Sequence, residues 1–236
     1  MNTSKNADDI RGDITFENVS FDYDETDGFE EYALKDVNLH IKEGEFVGII
    51  GSTGSGKSTL VNLIPRFYDP TSGKVLLDGV DIRNYNEATL RKNISIVLQS
   101  ATLFSGTVKS NIVQGDLDAV EDDITRAAKI AQAKEFIDRL PENYESIVYQ
   151  RGNNLSGGQK QRISIARGLV GNPRILILDD STSALDAKSE SLVKKALNRE
   201  LKNTTTIMVA QKISSIIDAD KIVLIDPVSY THLTLP

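Results

Sequence analysis

Residues Gly51-Ser52-Thr53-Gly54-Ser55-Gly56-Lys57-Ser58-Thr59 match G-x-x-x-x-G-K-[ST] at every fixed position, and no other stretch constrains the fold as strongly. The apolar run from Phe46 to Ile50 leads into this loop, and Leu60, Leu63, Ile64 and Phe67 follow at helical spacing. Strand, loop and helix are therefore expected in that order. Glycines at 51, 54 and 56 let the backbone turn tightly and aim successive N–H groups inward, where the positive end of the following helix helps to hold an anion. Lys57 would bridge the outer phosphates and Ser58 would ligate magnesium. A flexible Gly-Ser linker has a similar composition, but linkers are not clamped between an apolar strand and a helix. The implied ligand is a nucleoside triphosphate with Mg2+.

The rest of the composition narrows the class. A chain of 236 residues supports one large domain or two small lobes on a real core. A net charge of -7 and a pI near 5.0 argue against a non-specific nucleic-acid or anionic-lipid surface. Zero cysteines rule out disulfides, thiolate metal sites and cysteine nucleophiles. No apolar run approaches the ~18 residues needed to span a bilayer, so a membrane role would need its span from another segment.

Residues 1–12 are polar and read as a linker or tail, with order expected from Asp13. Strands are expected over Ile14 to Phe21, Val37 to Ile41, Phe46 to Ile50, Lys74 to Leu77 and Ile94 to Leu98, with Asp78-Gly79 as a hairpin turn. From about 99 to 160 the apolar spacing turns helical, with segments near Thr107 to Val113, Val120 to Ala131 and Glu135 to Leu140. Ser156 is the expected N-cap of a helix running through Leu169, and Ile175 to Leu178 is a continuous apolar run that predicts a central parallel strand. A helix over Ala187 to Leu201, strands over Thr205 to Val209 and Lys221 to Ile225, and a short helix from Ile213 complete an α/β alternation.

Leu155-Ser156-Gly157-Gly158-Gln159 precedes Ile175-Leu-Ile-Leu178-Asp179, an apolar strand ending in a magnesium-associated carboxylate. With these motifs the chain, over 13–226, closely resembles the nucleotide-binding domain of ABC transporters. The resemblance implies an α/β P-loop NTPase with a RecA-like parallel sheet, a mixed β core and a helical subdomain. It also implies ATP as the nucleotide. It assigns Tyr23 to stacking on adenine, Gln99 to the Q-loop that touches magnesium and the attacking water, and Ser183 to Asp186 to the loop crossing the dimer interface. Val148 to Gly152 matches the loop that touches the opposite membrane half in exporters. Ser156, Gly157, Gly158 and Gln159 form the signature, which in this family reaches the γ-phosphate held by a second nucleotide-binding domain.

Two positions depart from the family pattern. Asp180 stands where the catalytic glutamate follows Asp179, and Gln211 replaces the switch histidine. Aspartate is one methylene shorter, and a ~1 Å misplacement of a positioning group can cost ~100-fold in rate. Glutamine can hydrogen-bond a phosphate but carries neither a proton nor a positive charge. Both changes fall on the site built on this chain's own phosphate loop, whereas the signature is intact. That asymmetry is similar to one half of a heterodimeric bacterial exporter, with slow hydrolysis at its own site; a homodimer with a weakened site is the alternative.

The stretch Thr102 to Ile112, with the loop before the signature, resembles exporters fused to a six-helix membrane domain. The remaining competitors are an importer ATPase, a soluble or regulatory ABC ATPase, and a nucleotide-sensing module without turnover. An exporter half implies a transmembrane domain ahead of Asn2, a place at the cytoplasmic face of the membrane, and low stability for an isolated 1–226 piece. Residues 227–236 break the pattern and resemble the in-frame translation of a sequencing adapter. They are expected to be non-native, so Tyr230 and His232 are given no functional weight.

Overall fold

The computed structural model describes residues 10–23 and 32–226, together with the backbone of a strand at 230–233. Two β-layers carry the described residues. The first is antiparallel, built from β1 (Ile14–Phe21), β2 (Leu34–Ile41), β4 (Ser72–Leu77) and β5 (Val80–Asp81) in the order β2-β1-β4-β5. The second has six strands. These are β3 (Phe46–Gly51), β6 (Ile94–Val97), β9 (Ile175–Asp179), β10 (Thr205–Ala210), β11 (Lys221–Ile225) and β12 (Tyr230–Leu233), in the order β12-β11-β3-β10-β9-β6. All its pairs are parallel except β11 with β12.

The apolar runs of β9 and β10 are continuous because both faces of this sheet are covered. Ile175, Ile177, Ile207 and Val209 point into a core shared with the antiparallel sheet and with α1 (Lys57–Leu63). Leu176, Leu178, Met208 and Ala210 point into a second core on the opposite face. That second core is formed by α3 (Val108–Val113), α4 (Glu121–Ile130), α5 (Lys134–Ile137), α6 (Gly157–Leu169) and α7 (Ala187–Glu200). Two short strands, β7 (Gly106–Thr107) and β8 (Ile147–Val148), pair antiparallel and draw the two flanks of the helical insertion together. The helical layer runs on through all of α6, nine residues past the boundary expected near 160.

Order begins earlier than Asp13. Ile10 is 1% exposed, and the backbone N–H groups of Arg11, Gly12 and Asp13 all donate to the carboxylate of Asp78 in the β4–β5 turn. The Thr205 hydroxyl donates to the Gly12 carbonyl at 2.7 Å. The polar composition of 1–12 hid these last three residues, whose partners lie more than sixty positions away.

α1 is shorter than the apolar spacing predicts. The Arg66 N–H donates to Leu63 O, the Phe67 N–H donates to Asn62 O, and Arg66 is left-handed at φ 59. This pattern is a Schellman stop, reinforced by Pro65, and it leaves Phe67 54% exposed instead of on the buried face. α2 (Glu87–Asn93) escapes the periodicity reading because only Leu90 and Asn93 are buried; its signal is Asn86, whose side chain accepts from the Ala88 N–H. The expected central strand, β9, lies between β10 and β6, one place from the sheet edge.

Candidate nucleotide site

The phosphate loop takes its shape from three glycines that nothing larger replaces cheaply. A Cβ on Gly51 would lie 2.2 Å from the Ile225 carbonyl oxygen, because β11 pairs directly alongside the end of β3. Gly56, at φ +94, would place a Cβ 2.5 Å from Ala33 O. Gly54, at φ +79, faces open space. Ser52, Thr53 and Gly54 form the exposed tip of the loop. The Ser55 side chain is buried without a partner against the Gly51 position, so this residue can offer a ligand only its backbone. The Lys57 ammonium donates to the carbonyls of Gly51 at 2.9 Å and Ser52 at 2.7 Å, spanning the loop it follows. Burial pushes the Lys57 pKa down, and Asp179 and Asp180 pull it partly back up.

Parallel strands present all their carboxyl ends on one edge, and the remaining polar groups gather there. Asp179 ends β9, and its Oδ1 accepts from the Ser58 hydroxyl at 3.3 Å. Burial holds Asp179 above the usual carboxylate range, opposed by that bond and by Lys57. Asp180, at φ 48, accepts on a single oxygen, Oδ2, from the Nε2 groups of both Gln99 and Gln211, each at 2.9 Å. Its pKa is also raised, first by burial and then by repulsion from Asp179, against the Gln211 bond and Lys57. The fold therefore brings Lys57, Ser58, Gln99, Asp179, Asp180 and Gln211 together from four separate segments.

Tyr23 stands at the rim of this group. Its hydroxyl shares a 2.9 Å hydrogen bond with Thr59 Oγ1, and its ring meets Phe21 and Tyr68 edge-on at centroid distances of 4.8 and 5.5 Å. The ring is 55% exposed, which leaves aromatic surface available to a base.

Ser156, Gly157, Gly158 and Gln159 lie apart, and among the described residues no hydrogen bond joins them to the phosphate loop. Ser156 Oγ accepts from the Gln159 N–H at 3.2 Å, and Gln159 Oε1 accepts from the Ser156 N–H at 2.9 Å. This capping box occupies both side chains and starts α6. A Cβ on Gly157 would meet nothing within 4 Å, so this helix start presents bare backbone outward.

Two further contacts shape the site, one from Ser183, which the resemblance places in the interface loop without a tie to Asp180, and one from Gln161, which sequence reasoning did not single out. Ser183 pins the Asp180 backbone by donating its hydroxyl to Asp180 O at 2.9 Å, a three-residue spacing that signals a serine turn. Gln161, 1% exposed, donates Nε2 to Leu98 O at 3.2 Å and so ties α6 to the segment holding Gln99; nothing local marks this contact.

The residues fit a magnesium ion. No three His, Cys, Asp or Glu side chains form a metal cage among the described residues. Mg2+ instead favours one or two carboxylates completed by substrate phosphates and water, all hard oxygen donors. The Ser58 hydroxyl and Asp179 carboxylate are such donors side by side, and Gln99, with Nε2 committed to Asp180, keeps a carbonyl oxygen of the same kind.

Residues 34–183 match the family model described as ABC transporter. The chain is 51% identical over 220 residues to YgaD of Bacillus subtilis (strain 168), which is assigned by name as a multidrug export ATP-binding/permease protein. It is 50% identical over 216 residues to a protein of Staphylococcus aureus (strain Mu50) with the same assignment. These alignments cover 93% and 92% of the chain but 37% of each relative. A solved bacterial Atm1-family ABC exporter with ATP bound superposes with a TM-score of 0.86 at 40% identity, covering 92% of this chain and 37% of that one. The chain belongs to the ABC transporter family and carries that family's ATP-binding, P-loop ATPase domain.

Proposed function

We propose that this domain powers an ABC exporter at the cytoplasmic face of a membrane, closing head to tail with a second nucleotide-binding domain around bound ATP and Mg2+. The membrane span belongs to another part of the transporter, because no helix among the described residues is long and apolar enough to cross a bilayer. In this reading Lys57 and the loop from Gly51 to Thr59 hold the phosphates, Tyr23 meets the adenine, and Ser58, Asp179 and Gln99 serve the metal. Ser156, Gly157, Gly158 and Gln159 complete the partner's site. Support for an exporter comes from relatives assigned by name to multidrug export and from the likeness to an ATP-bound exporter.

We further propose that the site on this chain's own phosphate loop hydrolyses ATP slowly and that the partner is a different subunit bearing an intact site. One observation carries this reading: Oδ2 of Asp180 is shared by two amide donors, and no imidazole stands at Gln211 to steady developing charge. In the complete transporter, purified with its partner and held in lipid, the double variant Asp180→Glu with Gln211→His is expected to raise single-turnover hydrolysis at this site by ~100-fold, the scale of a ~1 Å correction. An unchanged rate would place the slow step elsewhere. Equal turnover by two copies of this chain alone would replace the heterodimer with a homodimer.

A further inference from the structure

Strands β6, β9 and β10 are neighbours in the parallel sheet, so their carboxyl ends lie side by side at a spacing of ~4.8 Å. Asp180 is the first residue past the middle strand. Gln211 is the first past β10 and Gln99 the second past β6, so the middle carboxylate is flanked from both sides.

The carboxylate itself is firmly mounted. The Asp180 N–H donates to Val209 O at 3.0 Å, and its carbonyl receives the Ser183 hydroxyl at 2.9 Å. Its left-handed backbone, at φ 48, is a conformation that Asp and Asn tolerate better than longer side chains do. An ionised carboxylate only accepts hydrogen bonds, so both Gln99 and Gln211 must turn Nε2 toward it and leave Oε1 as a free-facing acceptor. With both amides on Oδ2, the two lone-pair positions of that oxygen are filled.

The geometry points to Asp180 as a positioning residue: a fixed carboxylate that clasps Gln99 and Gln211 in one orientation across three strand ends, instead of serving as the base for water. The clasp also reaches the signature helix, since Gln161 of α6 holds Leu98 O next to Gln99. The inference deepens the proposed slow site, and rests on that reading for the identity of the nucleotide.

The test uses the complete transporter with its partner in lipid nanodiscs, comparing Asp180→Asn and Asp180→Ala with the parent. Amide hydrogen exchange at 98–104 and 210–214 is followed without nucleotide. Release of a fluorescent ATP analogue and single-turnover hydrolysis are followed with it. Asp180→Ala removes both bonds and is expected to speed exchange in both segments and analogue release by ~10-fold, the scale of a lost net hydrogen bond. Asp180→Asn keeps a carbonyl acceptor and suits the same backbone, so it is expected to return exchange and release to within about threefold of the parent and to hydrolyse faster than Asp180→Ala.

A base is lost equally in both variants. Equal loss of hydrolysis with parental exchange in each would therefore overturn the clasp and restore Asp180 as the base. If Asp180→Ala does not fold, Gln99→Ala removes one arm and should speed exchange at 98–104 alone; parental exchange there would also overturn it. A parent that fails to bind the ATP analogue would sink the functional reading, while the exchange contrast, measured without nucleotide, would still judge the clasp.

Discussion

The carboxyl edge of the parallel sheet and the start of α6 both offer polar groups to a phosphate, but they are built in opposite ways. At the sheet edge the carboxylates and amides lean on distant segments: Gln99 reaches Asp180 across 81 positions, Gln211 reaches it across 31, and Ser58 reaches Asp179 across 121. At the start of α6, Ser156 and Gln159 satisfy each other within three positions and leave Gly157 beside them bare. The first region is assembled only when the sheet is assembled. The second is a local device that any stable α6 carries, which suits the proposed role of completing a partner's site. A substitution at the edge should therefore disturb this chain's nucleotide, whereas one at the helix start should disturb the helix and spare that nucleotide.

The largest expected effect is at Lys57. Lys57→Ala removes the cation that spans the loop and is expected to weaken MgATP binding at this chain's site by about 10- to 100-fold, the range for a charge-assisted contact. Titration calorimetry of the complete transporter, with the partner's site blocked, measures it. The melting temperature should move little, because Lys57 otherwise bonds only loop carbonyls. Parental affinity would show that the edge does not hold phosphates. Ser156→Ala is the matching change in the other region. It removes the cap on the Gln159 N–H and is expected to cost about 1 kcal/mol of stability, with MgATP affinity at this chain's own loop unchanged. A drop in that affinity would mean that the two regions are energetically joined even in a single domain.

The same contrast explains what the sequence discloses. The phosphate loop and signature are legible because their residues are contiguous and their chemistry is backbone chemistry: glycines at 51 and 56 mark where another strand or loop approaches too closely for a side chain, and those at 54 and 157 where the backbone is left bare. The strands of the parallel sheet are legible too, since two covered faces demand unbroken apolar runs such as Ile175 to Leu178. The Asp180 clasp is not legible. The family pattern points to each of Gln99, Asp180 and Gln211, but that two amides share one carboxylate oxygen follows from strand order, which periodicity does not encode. The early end of α1 is missed because the apolar spacing runs on to Phe67, past the proline at 65 and the left-handed Arg66 that stop the helix. The ordering of Ile10 to Gly12 depends on Asp78, and α2 buries too little to register as periodic.

The smallest effect that separates the two kinds of construction is in proton binding. Asp179 and Asp180 are held above the ordinary 3.8, chiefly by burial at an edge where carboxylates crowd. Asp186, which caps α7 through the Ser189 hydroxyl and N–H, is held below 3.8 by those bonds. The signs of the linked stability are opposite. For the edge pair the folded chain grips protons more tightly than the unfolded one, so their contribution is fully present below 3.8 and is lost as pH rises through their folded values. For Asp186 the contribution is present above 3.8 and is lost as pH falls through its folded value. Carboxyl-carbon NMR titration of specifically labelled aspartates should give two resonances moving above pH 3.8 and one below it. Adding Mg2+ with a non-hydrolysable ATP analogue should pull Asp179 downward, because a bound cation favours the ionised carboxylate, and leave Asp186 in place. If Asp186 moved with the metal while Asp179 stayed still, the metal would belong near the helix cap and the division between a long-range site and a local one would fail.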